Sequence, residues 1–406
     1  MNHFRALNRI FVGFILISIG LSGTAARVNA KGIENAANLA PFFRKLDALK
    51  RKMVVEPVRI AHFGDSHVAA DILTADIRHR FQADFGDGGN GYMIARNPFS
   101  TPRRGVTSGT SSGWTINGIG KGAGNDGAYG MAGISMSTDS ANEKMWLESN
   151  TNHFEVYVLK GPGGGKINIT LDGASYLDGP MSLQAATPTV EMVPIDSPMM
   201  ANHRIEIVTL SKGQTRILGI ASEQITNGSG ICYDVLGING ARVSRISGWN
   251  QKVLVDTMKY RLPDLIIVAY GTNEVTDKDW TIESYAKMMA GIIKMFKAAA
   301  PGASVIVFGP PDRADNDDAT TRMPAMLEAQ RRAAKEAGAA FWCSFDAMGG
   351  PGSMDTWITQ GLGQGDHVHL TSAGYQRIGD MFYDDISAAF KEWKSHNTNT
   401  RTRRAE

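Results

Sequence analysis

Cysteine is almost missing from this chain. Only Cys232 and Cys343 occur among 406 residues, so no disulfide framework can stand in for a hydrophobic core. A surplus of one charge is missing too: 42 lysines and arginines face 40 aspartates and glutamates, which leaves no basic surface for nucleic acid. Long apolar runs are absent after the first thirty residues, so no later segment reads as a membrane span of roughly twenty residues. What remains, 43% hydrophobic and 20% charged residues, is the composition of a soluble globular protein with one large domain or two ordinary ones.

Residues 1–30 stand apart. Arg5 and Arg9 precede "IFVGFILISIGL", and Val28 and Ala30 follow at cleavage-like spacing. This reads as a signal peptide removed after Ala30, and hence as a periplasmic or otherwise exported protein with no stable membrane span. Losing Arg5, Arg9 and Arg27 with no acid takes the formal net charge from +2 to −1. At the other end, residues 396–406 with the basic run "RTRRAE" read as a disordered, solvated tail.

Two textures alternate between these ends. "PVRIAHF" reads as a strand, and Leu73, Ile77, Phe81 and Phe85 recur at every fourth position after it, one face of a helix. From about residue 99 to 230 helical periodicity nearly vanishes. Short alternating runs such as "FEVYVLK", "KINITLDG", "TVEMVPI" and "HRIEIVTL" take its place, separated by Gly, Asn, Asp and Pro. They suggest an all-β sandwich or jelly-roll domain at 99–230. It interrupts an α/β domain made of 31–98 and 231–395.

In that second part "ICYDVLGI", "DLIIVAYG", "SVIVFG" and "AAFWCSF" read as strands. Helical faces recur at Ile282, Tyr285, Met289, Ile292 and Phe296, and at Tyr375, Ile378, Phe382, Ile386 and Phe390. Strands alternating with helices imply a parallel sheet covered on both faces.

Ligands of such sheets bind beyond the carboxyl ends of the strands, and each polar cluster falls at one of those ends. Ser66 follows the first strand, Gly240 the second and "GTNE" the third; "GDHVHL" lies between the last strand and the final helix. A serine needs a base to take its proton, and the base needs an acceptor to hold its tautomer. His369 can be the base, with Asp366 folded onto it by one tight turn. Asn273 through its amide, and Gly240 and Ser66 through backbone N–H groups, can form an oxyanion hole. His67 reads as a structural hydrogen-bonding group, Asp65 as a brace of the turn and Asp71 as a helix cap. The alternative for "DHVH" is a zinc or manganese site, although no further histidine or cysteine cluster accompanies it. Trp114, Tyr129, Trp146 and Tyr157 in the β segment read as core before they read as sugar platforms.

"GDSH", "GINGA", "GTNE" and "DHVH", in this order, resemble the four blocks of the SGNH (GDSL-like) hydrolases. The resemblance implies a three-layer fold, a triad of Ser66, His369 and Asp366, an oxyanion hole of Ser66, Gly240 and Asn273, and no metal or other cofactor. Glu274 departs from the aspartate many members have there. The β-rich insertion, with "GDSHVAADILTADIRHRF" and "FGDGGNGY" before it, is similar to that of bacterial peptidoglycan O-acetylesterases, where a carbohydrate-binding-module-like domain interrupts the hydrolase. The function implied is an exported serine esterase acting on an O-acetylated glycan. An O-acetyltransferase using the same residues and a non-catalytic wall-binding protein are the alternatives. The family's strand order would also hold Cys232 and Cys343 apart as free, buried thiols. Neither the oligomeric state nor the contribution of the β segment to the site is legible.

Overall fold

The computed structural model describes residues 32–96, 103–118, 126–225 and 230–402, with side chains to 397; the signal-peptide reading lies outside the described residues. Two sheets share the chain.

The first has six strands, in the order Ile33–Glu34, Ala340–Cys343, Ser304–Gly309, Leu265–Ala269, Val58–Gly64 and Ile231–Gly237. Five run parallel, and the short N-terminal strand caps one edge antiparallel. Alternation along the strands supplies both faces. Val58 and Ile60 pack with Phe43, Phe81 and Phe382 from the helices Ala40–Lys50, Leu73–Phe85 and Ser372–Thr402. Ala61 and Phe63 pack with Met258, Phe296 and Leu327 from Gln251–Arg261, Ile282–Ala299 and Asp317–Ala337. The result is the expected three layers, helix on sheet on helix. The last helix continues to Thr402, into the segment read as tail. No helix among the described residues is long and apolar enough to cross a membrane.

Between Gly91 and Glu223 every described regular element is a strand, and these strands form an antiparallel ten-stranded sheet. It starts at Gly91–Met93, ahead of the expected boundary at 99, because that strand pairs with Thr215–Glu223. Two long strands, Lys144–Lys160 and Thr189–Thr209, dominate it. The runs "TVEMVPI" and "HRIEIVTL" are one strand: the turn-like residues between Asp196 and Ala201 are absorbed as a bulge while pairing with the same neighbour resumes beyond it. The strand 144–160 pairs with Val106–Thr110 in its first half and with Thr215–Glu223 in its second. The whole is therefore one continuous hydrogen-bonded sheet and not two separate ones.

Charge fastens the two sheets together. Arg261, fully buried, reaches Glu155 at 3.0 Å, Asp234 at 2.7 Å and Cys232 Sγ at 3.0 Å, and also pairs with Glu223. Arg59 grips Glu223 with two bonds of 2.7 Å. Removing one partner of such a network strands the others without water. Arg261→Met should cost about 3–5 kcal/mol in denaturant unfolding; a loss below about 1 kcal/mol would mean that the network does not hold the sheets.

Both cysteines are free and buried, as the strand order implied. Cys232 lies in the edge strand Ile231–Gly237 and Cys343 in the strand next to the opposite edge.

Candidate active site

Register makes the site. Gly64 is level with Gly237 on one side and Ala269 on the other, so three chain segments leave the sheet together. Ile238 N–H then donates to Gly64 O at 3.0 Å, continuing the pairing one step beyond the strands. Gly237 has to be glycine: a Cβ there would lie 2.1 Å from Ala69 N, in the single helical turn Ser66–Ala69.

Asp65 caps that turn by accepting from His67 N–H at 3.0 Å. Ser66 therefore opens a helix, with its own N–H outside the helical ladder. Its Oγ lies 2.8 Å from His369 Nε2. His369 Nδ1 lies 2.7 Å from Asp366 Oδ2, and Asp366 Oδ1 also accepts from the backbone N–H groups of His369 at 2.9 Å and Val368 at 3.0 Å. Burial works to raise the Asp366 carboxyl, but the hydrogen bonds from His369 and Val368 outweigh it and hold the group down at about 2. The carboxylate is thus ionised at any working pH, which keeps the Nδ1 proton toward it and Nε2 free to accept from serine.

Gly240, at φ +70, stands where an added Cβ would meet nothing within 4 Å, so no side chain crowds that position. Asn273 Nδ2 donates to Ala241 O at 3.0 Å, next to Gly240, and has a second N–H to offer. The structure thus brings Ser66, His369 and Asp366 into one hydrogen-bonded chain and sets Gly240 and Asn273 on the adjoining loops.

His67 faces inward: its Nδ1 is 2.8 Å from Tyr375 OH and its ring centroid 5.3 Å from that of His369. Burial, followed by the nearby His369 and Arg313 charges, pushes it down to about 3, so it stays neutral beside His369. Asp71 is not the helix cap expected. Ile72 occupies that position, and Asp71 is a buried anchor for Arg78 at 3.1 Å, Arg103 at 2.7 Å and Arg104 N–H at 2.8 Å. In "DHVH" the two imidazoles part ways. His367, at φ +58, turns to Asp355 at 3.2 Å, away from the position His369 takes on Ser66. Among the described residues only His153, Glu155 and Glu223 approach one another as metal ligands do, and Arg59 and Arg261 already occupy those carboxylates.

Burial raises the Asp65 carboxyl to about 6, against the pull of His67 N–H, the Thr272 hydroxyl and the His369 charge. The folded chain therefore keeps a proton that the unfolded chain releases near 3.8. Stability falls as pH rises between those values, and the full penalty is present above about 6. Asp65→Asn keeps an acceptor for His67 and removes the charge. It should stabilise the protein at pH 8 by on the order of 2–3 kcal/mol more than at pH 4. Urea unfolding at both pH values checks this, and an equal effect at both would contradict it.

The chain enters the β segment on the site's side of the sheet. From Asp87, bridged to Ile231, it runs along the edge strand to Tyr92, whose N–H meets Asp234, and so back toward the carboxyl ends. A groove of about 940 Å³ follows, with Ala69 and Gly237 on one wall and Val106, Gly109 and Trp146 of the ten-stranded sheet on the other. Trp114, Tyr129 and Tyr157 are core, as expected. Trp146 alone of the four is partly open, its ring lying against Gly109 and 4.2 Å from the Arg204 guanidinium.

Residues 218–377 match the GDSL-like lipase/acylhydrolase family. Over that span the chain is similar to the family. The matched span contains Gly240, Asn273, Asp366 and His369 but not Ser66, which the fold delivers from the far side of the β segment. The whole structure is similar to a solved peptidoglycan O-acetylesterase, with a TM-score of 0.75 and 24% identity over 88% of this chain and 99% of that one. That likeness shows that the two chains share a fold. A family two carbohydrate esterase from Cellvibrio japonicus reaches a TM-score of only 0.31 at 11% identity, covering 71% of this chain and 99% of its own, too low to carry an argument. No match was found among curated proteins.

Proposed function

We propose that the protein is an exported serine esterase that removes O-acetyl groups from peptidoglycan or a related polysaccharide. The observation that carries this reading is the hydrogen-bonded chain from Ser66 through His369 to Asp366, beside the loops of Gly240 and Asn273. Ser66 Oγ attacks the acetyl carbonyl as its proton passes to His369 Nε2. Negative charge on the carbonyl oxygen is met by the N–H groups of Gly240 and Ser66 and the amide of Asn273. Collapse breaks the ester bond, and His369 returns the proton to the departing sugar oxygen. Water, deprotonated by His369, then attacks the acetyl-enzyme; the bond to Ser66 Oγ breaks, His369 returns the proton to that oxygen, and acetate leaves.

The glycan substrate is supported by the groove that the β segment adds against Gly237 and Ala69, the latter in the same helical turn as Ser66, on the site's side of the sheet. Export is supported by residues 1–30. Residues 31–406 incubated with O-acetylated peptidoglycan should release free acetate. Acetyl appearing on an added oligosaccharide in place of acetate would instead make the protein a transferase. Binding of the glycan with no turnover of any acetyl ester would make it a wall-binding protein.

A further inference from the structure

The nucleophile's turn is built within one short segment, but the oxyanion donors come from two separate loops. Gly240 follows the strand Ile231–Gly237, and Asn273 follows Leu265–Ala269. A donor misplaced by a fraction of an ångström loses most of its value for a developing charge. Gly240 has no side chain with which to anchor itself, and it stands at the open side of the site. Something else must fix the distance between the loops.

Three ties cross between them. Asn273 Nδ2 holds Ala241 O at 3.0 Å. Arg242 reaches Asp277 with two bonds, of 2.5 and 2.7 Å. The third tie is buried: Glu274 accepts from Val243 N–H on Oε1 at 2.7 Å and from Gly271 N–H on Oε2 at 3.1 Å. One carboxylate thus spans both loops, three residues from Gly240 on one side and next to Asn273 on the other. Tyr285 OH, from the helix behind, lies 3.5 Å from the carboxylate, and the Trp280 indole just ahead of that helix donates to the Glu274 backbone O at 2.7 Å.

We propose that Glu274 is a positioning residue, which sets the Gly240 loop at its working distance from Asn273 and Ser66 and so acts on the transition state without touching substrate. The inference rests on the esterase reading. Each of the two Glu274 carboxylate oxygens receives one of the two backbone N–H groups. Burial, and then the neighbouring Asp65 charge, push the Glu274 carboxyl up to about 7 against its two backbone hydrogen bonds. That is the cost of keeping an acid inside the site.

Glu274→Gln conserves volume and turns one acceptor into a donor that faces a backbone N–H. Asp277→Asn weakens the outer tie, where both partners are about one-third exposed and folding is not at stake. Hydrolysis of a small acetyl ester is measured per reactive Ser66, counted by complete fluorophosphonate labelling, so that misfolded protein does not enter the rate. Glu274→Gln should lower kcat by about 10–100-fold with KM within about twofold, and Asp277→Asn by about 2–10-fold in the same manner. Parental kcat per labelled site in Glu274→Gln, or a loss lying in KM, would overturn the proposal. Should that variant not fold, parental kcat in Asp277→Asn would overturn it. A parent chain that turns over no acetyl ester would sink the esterase reading, and this inference with it.

Discussion

Ser66→Ala is expected to lower the hydrolysis of a small acetyl ester by on the order of 10⁴–10⁶-fold while leaving the melting temperature close to the parent's. The size of the effect follows from the geometry. Among the described residues Ser66 Oγ is the atom placed on His369 Nε2, so removing it leaves the base without its nucleophile. Because the hydroxyl sits at the start of the turn and Asp65 caps that turn through His67 N–H, the fold does not depend on the hydroxyl. Activity within tenfold of the parent would exclude Ser66 as the nucleophile.

Asp366→Asn carries the second large effect. Asp366 makes three hydrogen bonds, two to backbone N–H groups and one to the His369 ring. An asparagine amide oxygen can keep the backbone bonds. Its NH₂ then faces Nδ1, which must give up its proton to accept, so the imidazole takes the wrong tautomer and presents N–H instead of a lone pair to Ser66. About 10²–10⁴-fold should be lost from kcat, with KM nearly unchanged. The loop itself should hold, since Gln364 N–H donates to His369 O and Ala314 N–H to His367 O independently of the carboxylate. A loss of less than about fivefold would show that His369 is oriented by something else.

These residues were legible because each lies within a few positions of a strand end that its own sequence announces. "PVRIAHF" stops at Gly-Asp-Ser and "DLIIVAY" at Gly-Thr-Asn, and the order of the blocks did the rest. What escaped was long-range. The helix Asp317–Ala337 was not singled out, because its buried face is carried by alanines and methionines and Pro324 interrupts the pattern. The strand Thr189–Thr209 was divided in two by residues that read as a turn and fold as a bulge. The Arg59, Arg261, Glu155, Glu223 and Asp234 network joins four strands and a helix far apart in the chain, and no local pattern marks it. Glu274 was visible only as a departure from a motif. Its function as a tie required knowing that Val243 N–H lies 2.7 Å away.

The β segment follows the same logic. Simple winding from the helix Leu73–Phe85 would start it at the amino ends of the strands, away from the serine. The eight residues from Asp87 to Ile94 reverse that outcome by travelling along the edge strand, with Gly91 fitted against Tyr233 where no side chain has room. A segment that looks like an interruption thereby becomes one wall of the groove that Ala69 and Gly237 border.

The most direct test of a serine nucleophile in this site is to label the purified protein with a fluorophosphonate and map the adduct by peptide mass spectrometry, following ester hydrolysis in the same samples. The geometry predicts one phosphonyl group per chain, on Ser66, with activity falling in proportion to labelling. A label elsewhere, or full activity in protein whose Ser66 is completely phosphonylated, would contradict it.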